Sequence, residues 1–156
     1  MIDFSSFNLV SFWQECDSIF EQFKVEQQPS ECYGWRSWRV EKAFEKHSKN
    51  ALNWVDEVGF DFIDSDGLKY EFKQVKDAFK KGKTPNVTLK NFRKDTLDHY
   101  DQTFDYILII DVERRTLGVY DWEYVHKRCI INGATVTANF EHSQARKLYT
   151  PYYEIA

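Results

Sequence analysis

The sequence has few cysteines and no long apolar run, and each absence excludes a class of protein. Its three cysteines, Cys16, Cys32 and Cys129, are widely spaced and form no C-x-x-C pair. This pattern argues against a disulfide framework or a cysteine-bound zinc site. No apolar stretch approaches the roughly 20 residues that a membrane-spanning helix needs. The first residues lack the basic-then-apolar order of a signal peptide, so we expect a soluble cytoplasmic protein with no membrane partner.

The composition is that of a folded chain with an uneven distribution of charge. The chain has 156 residues, of which 42% are hydrophobic and 17% aromatic, and this is enough for the core of one domain. The net charge is −4, but basic residues outnumber acids between Lys69 and Lys94. A local basic patch on an acidic protein can bind a phosphate backbone. A solvated loop and helix face would have the same composition.

Two helices are expected in the N-terminal third. Ser5 or Ser6 can cap a first helix that extends to about Lys24, because apolar residues recur there at helical spacing. A second apolar stripe on this helix either packs against the same chain or forms a dimer contact, which we favour. The stripe consists of Leu9, Val10 and Trp13. A second helix is expected over about 34–51.

The rest of the chain is expected to alternate between strands and helices. The continuous apolar run at 104–111 is typical of a central strand covered on both faces, and Thr88 is expected to cap a third helix. The other expected elements are hairpin strands at about 58–64 and 68–76, a strand at 117–120, a short helix from Asp121 and a late strand at 134–140. This order predicts an α/β fold in which helices flank a mixed central β-sheet.

The most informative stretch is a predicted β-hairpin at 59–73. The residues Ser65-Asp66-Gly67 suit a three-residue loop, in which a type I turn is followed by a left-handed glycine. Asp64 and Leu68 would flank this loop, and the pairing of the two strands is then fixed outward from it.

This register places Asp61 opposite Glu71. Like charges directly across a sheet destabilise it, so we expect a cation between them. Lys73 lies two residues after Glu71 and therefore points to the same face. Carboxylates are good ligands for Mg²⁺, and two acids and a lysine suit phosphodiester hydrolysis. The backbone carbonyl of Phe72 is a further candidate ligand. The E-x-K pattern by itself also occurs on ordinary exposed strands.

The hairpin resembles the PD-(D/E)XK nuclease superfamily, whose members join an Asp to a following E-x-K on neighbouring strands. The similarity lies in G-x-D, the D-x-x-G turn and Y-E-x-K between Gly59 and Lys73, and it is greatest to small type II restriction endonucleases. It extends more weakly through 86–120. The resemblance implies a restriction-endonuclease-like core, in which Asp61 and Glu71 bind Mg²⁺ and Lys73 is the catalytic lysine.

The resemblance also implies a function. We expect a Mg²⁺-dependent type II restriction endonuclease that cuts double-stranded DNA at a specific, palindromic site, as a homodimer because two strands need two active sites. The alternatives are a structure-specific repair or recombination nuclease of the same fold, and a DNA-binding module that does not cleave. One nuclease domain would span 1–156, with a helical dimer element at 1–52, a catalytic core at 53–125 and a DNA-recognition region at 126–156.

Candidate DNA contacts follow the catalytic strand. Lys76, Lys81 and Lys83 are expected to contact phosphates, which position a duplex without reading its sequence. Asn86 is a candidate base reader, although it also suits a turn. In the restriction endonuclease that this chain resembles most, the corresponding segment is rich in histidine, whereas this segment has none, so the target sequence cannot be transferred.

Two further groups of residues have open assignments. The first group could supply an additional acid to the site or lie on the surface, and it consists of Glu41, Glu45 and Glu57. The second group suits DNA contact and packing equally, and it consists of Trp35, Arg36, Trp38 and Arg39.

Overall fold

The N-terminal part of the chain is helical. The computed structural model describes residues 2–25, 33–57, 59–75, 86–89, 94–96, 99–100, 102–132, 135–139 and 153–154. A 3₁₀ turn at Phe4–Ser6 precedes α1 (Leu9–Val25) and α2 (Tyr33–His47). No helix in these described ranges is long and apolar enough to cross a membrane.

The start of α1 differs from the expectation. The carbonyl oxygen of Asn8 accepts a hydrogen bond from the N–H of Phe12 at 3.0 Å, and its side-chain oxygen accepts one from the N–H of Ser11 at 3.2 Å. Asn8 is therefore the N-cap, because it supplies an acceptor to an otherwise unpaired N–H group of the first turn. The predicted cap at Ser5 or Ser6 is wrong, since both residues lie in the preceding 3₁₀ turn.

Within the described residues, the strands form three sheets. In chain order they are β1 (Leu52–Glu57), β2 (Phe60–Asp64), β3 (Lys69–Gln74), β4 (Asn86–Leu89), β5 (Lys94–Thr96), β6 (His99–Tyr100), β7 (Tyr106–Asp111), β8 (Thr116–Asp121), β9 (Cys129–Asn132), β10 (Thr135–Asn139) and β11 (Tyr153–Glu154), with α3 (Trp122–Arg128) after β8. The largest sheet has the order β1-β2-β3-β7-β8-β11. Strands β3 and β7 are parallel and the other neighbours are antiparallel, which confirms an α/β fold with a mixed sheet.

One face of this sheet packs against the helices. The ring of Phe44 on α2 lies with its centroid 5.8 Å from that of Phe62 and 5.1 Å from that of Phe72. Side chains alternate along a strand, so Glu71 and Lys73 point to the opposite face of the sheet. Glu71 and Lys73 therefore point away from the face on which Phe62 and Phe72 contact Phe44.

The central strand β7 is covered on both faces, as its apolar run predicts. In the parallel register, Glu71 pairs with Ile107 and Lys73 with Ile109. These two isoleucines are fully buried, and so are their neighbours on the helix-covered face. The charged side chains of β3 therefore lie beside a buried apolar strand, which limits their access to water.

The region around Thr88 corrects the predicted third helix. Thr88 lies in β4, opposite Thr137 of β10, and β5 and β6 follow. Val87 and Thr88 are β-branched and favour a strand, and pairing with β10 outweighs the local capping signal. The structure also has strand β1 at 52–57, where the sequence pattern predicts no element.

Candidate active site

The loop between β2 and β3 has the predicted geometry. The N–H of Asp64 donates to the carbonyl of Leu68 at 3.1 Å, and the N–H of Gly67 donates to the carbonyl of Asp64 at 3.1 Å. Gly67 has a φ of 81°, a left-handed conformation that glycine adopts at low cost. Asp64 and Leu68 are therefore the flanks of the three-residue loop.

Asp64 is a structural acid of this turn. Its Oδ1 accepts hydrogen bonds from the N–H groups of Asp66 at 2.9 Å and Leu68 at 3.0 Å. Its Oδ2 accepts one from the hydroxyl of Tyr70 at 2.8 Å. Since these donors engage both oxygens, Asp64 fixes the loop and the strand that follows, and Asp61 remains the acid of β2 that reaches the site.

Asp61 and Glu71 face each other across the hairpin. The observed pairing of Phe62 with Tyr70, continued by one residue, places Asp61 opposite Glu71. Oδ2 of Asp61 also accepts a hydrogen bond from the N–H of Phe72 at 2.8 Å. A regular ladder would pair this N–H with a carbonyl of β2. The carboxylate thus takes the place of a backbone acceptor where the observed ladder between the two strands ends.

Lys73 completes the predicted group. Glu71 is buried, with 5% of its surface exposed, and its Oε1 forms an ion pair with the ammonium of Lys73. The side chain of Lys73 is 29% exposed, so it connects the buried carboxylate with solvent. The structure thus brings Asp61, Glu71 and Lys73 together, and their catalytic role remains a prediction.

Helix α2 adds Glu41 to this group. The indole N–H of Trp54 donates to Oε2 of Glu41 at 2.9 Å. Burial raises the pKa of Glu41, the Trp54 hydrogen bond and the charge of Lys73 lower it, and the charge of Glu71 raises it, with a net increase. The carboxyl group of Glu41 is therefore close enough to interact electrostatically with the hairpin residues.

The pKa of Asp61 is raised from 3.8 to about 7. Burial is the largest cause, followed by the negative charges of Glu71 and Glu41, whereas the Phe72 N–H and the charge of Lys73 lower the pKa. Ionised Asp61 is thus disfavoured because burial removes water from it, and because the single ammonium of Lys73 does not offset the negative charges of Glu71 and Glu41. A bound cation would favour the ionised form.

The other two open acids have different surroundings. Glu45 pairs with Lys42 and accepts a hydrogen bond from the backbone N–H of Trp54, so it fastens β1 to α2. Glu57 is exposed at the end of β1, opposite Phe60. Sequence reasoning missed Trp54, which holds both Glu41 and Glu45. The alternation of Leu52 and Trp54 was the available signal for β1.

The donor set suits Mg²⁺, which is a hard cation and prefers oxygen ligands. Asp61 and Glu71 would hold the ion, and the raised pKa of Asp61 fits a site at which a cation offsets excess negative charge. Within the described ranges, no three His, Cys, Asp or Glu side chains are grouped closely enough to bind a metal. One oxygen of Glu71 is instead paired with Lys73. The carbonyl of Phe72 remains a predicted ligand.

The candidate DNA contacts are mostly outside the described residues. Lys76, Lys81 and Lys83 all lie there. Asn86 is the first residue of β4, where it pairs with Asn139, and its side chain is also outside the description. These DNA contacts therefore stay predictions.

The apolar stripe assigned to a dimer contact is largely buried within the chain itself. Leu9 is 5% exposed and Trp13 is fully buried, whereas Val10 is 52% exposed. Most of the stripe packs into the core that α1 forms with α2 and the sheet. The stripe is therefore no evidence for a dimer contact. The homodimer remains a prediction that the two-fold symmetry of a palindromic site supports.

Known proteins offer no independent assignment of this site. No protein-family model matches the chain, and no curated protein matches it either. A functional proposal therefore depends on the geometry and charge of the hairpin residues.

Proposed function

We propose that the chain is a Mg²⁺-dependent DNA endonuclease with a PD-(D/E)XK-like core. Its substrate would be double-stranded DNA, cut at a specific palindromic site by a homodimer of restriction type. The observation that carries this proposal is the convergence of Asp61, Glu71 and Lys73 on the β2–β3 hairpin. Asp61 and Glu71 face each other, and the pKa of Asp61 is raised. This arrangement suits a cation-binding role better than a purely structural one.

The chemistry would be divided among these residues. Bound Mg²⁺ supplies polarisation of the phosphate and a more acidic water. Asp61 and Glu71 would hold the ion, and the N–H of Phe72 keeps the Asp61 carboxylate in position. The ammonium of Lys73 would orient the attacking water or neutralise the charge that develops on the phosphate. Its ion pair with Glu71 keeps it at the site before DNA binds.

A structure-specific repair or recombination nuclease is the second candidate. It is favoured by one observation, which is an exposed tryptophan on α2: Trp38 is 44% exposed, and its ring contacts that of Trp54, whose indole N–H donates to Glu41. Aromatic faces stack on unpaired bases, whereas the bases of an intact duplex are already stacked.

The test is cleavage of a supercoiled plasmid and of a branched junction, with Mg²⁺, Ca²⁺ or EDTA. Discrete linear fragments of the plasmid with Mg²⁺ would support the restriction function. Cutting of the junction alone would support the second candidate. Binding of DNA with no cleavage in Mg²⁺ would contradict both and leave a DNA-binding module.

Variants of the three residues sharpen this test. Asp61→Ala, Glu71→Ala and Lys73→Ala are each expected to reduce cleavage by about 100-fold or more. The control is Lys24→Ala, because Lys24 is an exposed lysine of α1 that pairs with Glu21 and lies outside the basic stretch between Lys69 and Lys94. Full activity in any of the three variants would remove that residue from the site.

A further inference from the structure

Lys69 is an exposed lysine on the strand that carries two of the candidate active-site residues. It is the first residue of β3, two positions before Glu71 and four before Lys73. Because side chains alternate along a strand, these three residues point to the same face of the sheet. Two residues of a strand span about 7 Å. Lys69 therefore lies next to the site, on the face that carries Glu71.

The backbone of Lys69 is fixed by Asp105, the residue that precedes β7. The N–H of Lys69 donates to Oδ2 of Asp105 at 2.8 Å, and the N–H of Asp105 donates to the carbonyl of Lys69 at 2.8 Å. Oδ1 of Asp105 accepts a hydrogen bond from the side-chain amide of Gln102 at 3.3 Å. Asp105 therefore anchors the start of β3 through amide groups, and it does not form an ion pair with the Lys69 ammonium.

The ammonium of Lys69 lies over an aromatic ring. It is 4.9 Å from the ring centroid of Phe60, whose side chain is half-buried. Among the residues that the structure describes, no carboxylate is within ion-pair distance of this ammonium. Most other lysines with described side chains do pair with an acid, and these are Lys24, Lys42, Lys46, Lys73 and Lys127. The positive charge of Lys69 is thus available to an anion.

Phe60 also relates this charge to the acid of β2. Phe60 directly precedes Asp61 in that strand, so its contact with Lys69 places the ammonium beside the strand that carries the acid. The charge of Lys73 lowers the pKa of Asp61, and Lys69 is not among the groups that shift it. Lys69 therefore lies at the border of the acidic group, where it can attract an anion without being paired to the acids.

We propose that Lys69 binds the DNA phosphate that flanks the scissile phosphate on the same strand. This inference rests on the proposed function, because it assigns a second phosphate to the same site. Phosphates of one strand follow each other with a rise of about 3.4 Å along the helix axis. The distance of roughly 7 Å between the positions of Lys69 and Glu71 is thus within the span of one or two nucleotides. The ring of Phe60 keeps the ammonium beside the site before DNA binds.

The test measures how the affinity for DNA depends on salt. A fluorescein-labelled duplex of about 30 base pairs and mixed sequence is titrated in EDTA, between about 50 and 200 mM NaCl. Each lysine that neutralises a phosphate contributes about 0.9 to the slope of log K against log salt concentration. We expect Lys69→Gln to reduce this slope by about 0.9 and to weaken binding about 3- to 10-fold at roughly 0.1 M salt. Lys69→Arg keeps the charge and should retain the wild-type slope.

Lys49→Gln is the matched control. Lys49 is exposed in the turn between α2 and β1, and within the described ranges its ammonium also has no carboxylate at ion-pair distance. The control removes the same charge from a position outside β3 and should leave the slope unchanged. Equal slopes for Lys69→Gln and the wild type would overturn the inference, and so would equal decreases in Lys69→Gln and Lys49→Gln.

Cleavage in Mg²⁺ separates this inference from the proposed function. Lys69→Gln should act mainly on the DNA concentration that gives the half-maximal rate and raise it by about 3- to 10-fold, whereas Lys73→Ala should reduce the maximal rate. If the wild type cuts DNA and neither the salt slope nor the half-maximal concentration depends on Lys69, the proposed function survives alone. A slope that depends on Lys69 without any cleavage would support the phosphate contact and overturn the proposed function. Absence of both binding and cutting would overturn both.

Discussion

The carboxylate of Asp61 accepts a hydrogen bond from the backbone N–H of Phe72 at 2.8 Å. This bond ties an acid of β2 to the strand that carries Glu71 and Lys73, and it does so where the observed β2–β3 ladder has ended. The Asp61 carboxylate thus accepts a hydrogen bond from an N–H group that, in a regular ladder, would donate to a carbonyl of β2. The position of the carboxylate and the integrity of the hairpin therefore depend on the same contact.

Two substitutions separate these roles. Asp61→Asn keeps an oxygen acceptor for the Phe72 N–H and removes the charge, whereas Asp61→Ala removes both. We expect both variants to lose cleavage, and Asp61→Ala to be less stable than Asp61→Asn by about 1 kcal/mol because a partly buried N–H loses its acceptor. Urea unfolding in EDTA at pH 7.5 measures the difference, with Asp66→Ala as an exposed control. Equal stability of the two variants would show that the hydrogen bond contributes nothing.

The raised pKa of Asp61 predicts that stability depends on pH in the metal-free protein. Below pH 3.8 the carboxyl is protonated in both the folded and the unfolded state, so it imposes no penalty. Between pH 3.8 and about 7 the unfolded state ionises while the folded state holds the proton, so the free energy of unfolding falls as pH rises. We expect a loss of up to about 4 kcal/mol, since one pKa unit is worth about 1.4 kcal/mol.

Thermal unfolding in EDTA from pH 4 to pH 8 checks this dependence. Asp61→Asn should have a flatter profile than the wild type and a higher Tm at pH 7.5. Addition of Mg²⁺ should stabilise the wild type more at pH 7.5 than at pH 5, because ligands must lose their protons to bind a metal. Parallel profiles for the wild type and Asp61→Asn would mean that Asp61 ionises normally in the folded protein.

Gly59 and Gly67 offer a matched pair at the two ends of the first hairpin strand. Both have a positive φ, 98° for Gly59 and 81° for Gly67. A Cβ at position 67 would meet nothing within 4 Å, whereas at position 59 it would lie 2.7 Å from Cβ of Thr103. Gly67→Ala should therefore cost about 1 kcal/mol from backbone strain alone, and Gly59→Ala should cost at least about 1 kcal/mol more because of the clash. Denaturant unfolding of the two variants measures both costs, and a smaller cost at Gly59 would contradict the close approach of Thr103.

The hydrogen bond from Trp54 to Glu41 is expected to matter for activity more than for folding. Trp54→Phe keeps most of the ring and removes the indole N–H, which leaves the Glu41 carboxylate without the donor observed at 2.9 Å. Groups that orient residues around a metal typically affect affinity or activity by about 10- to 100-fold. We expect a decrease of about 10-fold in cleavage rate and a higher Mg²⁺ requirement, measured by titration of Mg²⁺ at a fixed DNA concentration. Trp122→Phe is the control. An unchanged Mg²⁺ dependence in Trp54→Phe would show that Glu41 has no role in metal binding.

Sequence reasoning located the hairpin because its determinants are local. The Ser65-Asp66-Gly67 turn sets the register, and alternation along the strands then places Asp61, Glu71 and Lys73 on one face without information from distant residues. The apolar run of β7 similarly indicates a strand covered on both faces. These features depend on neighbouring residues along the chain.

Features that depend on distant residues were missed or left open. Thr88 has the side chain of a helix cap, yet its backbone pairs with β10, far along the chain. Glu41 could not be chosen over Glu45 because the choice depends on where Trp54 places its indole N–H and its backbone N–H. The apolar stripe of α1 could not be assigned to the core because nothing local distinguishes an internal partner from a second subunit.

The two pairings of β3 also differ in the length of chain that they close. Its antiparallel pairing with β2 closes a short loop, and hairpins of this kind form within about 1–10 μs. Its parallel pairing with β7 brings Phe72 next to Leu108, and such long-range contacts form slowly. Asp61 and Glu71 would thus meet while water still solvates them, and they would lose that water only when β7 docks. In the metal-free protein, uptake of a proton by Asp61 at a pH between 3.8 and about 7 would then report completed folding, and it could be followed in real time during refolding.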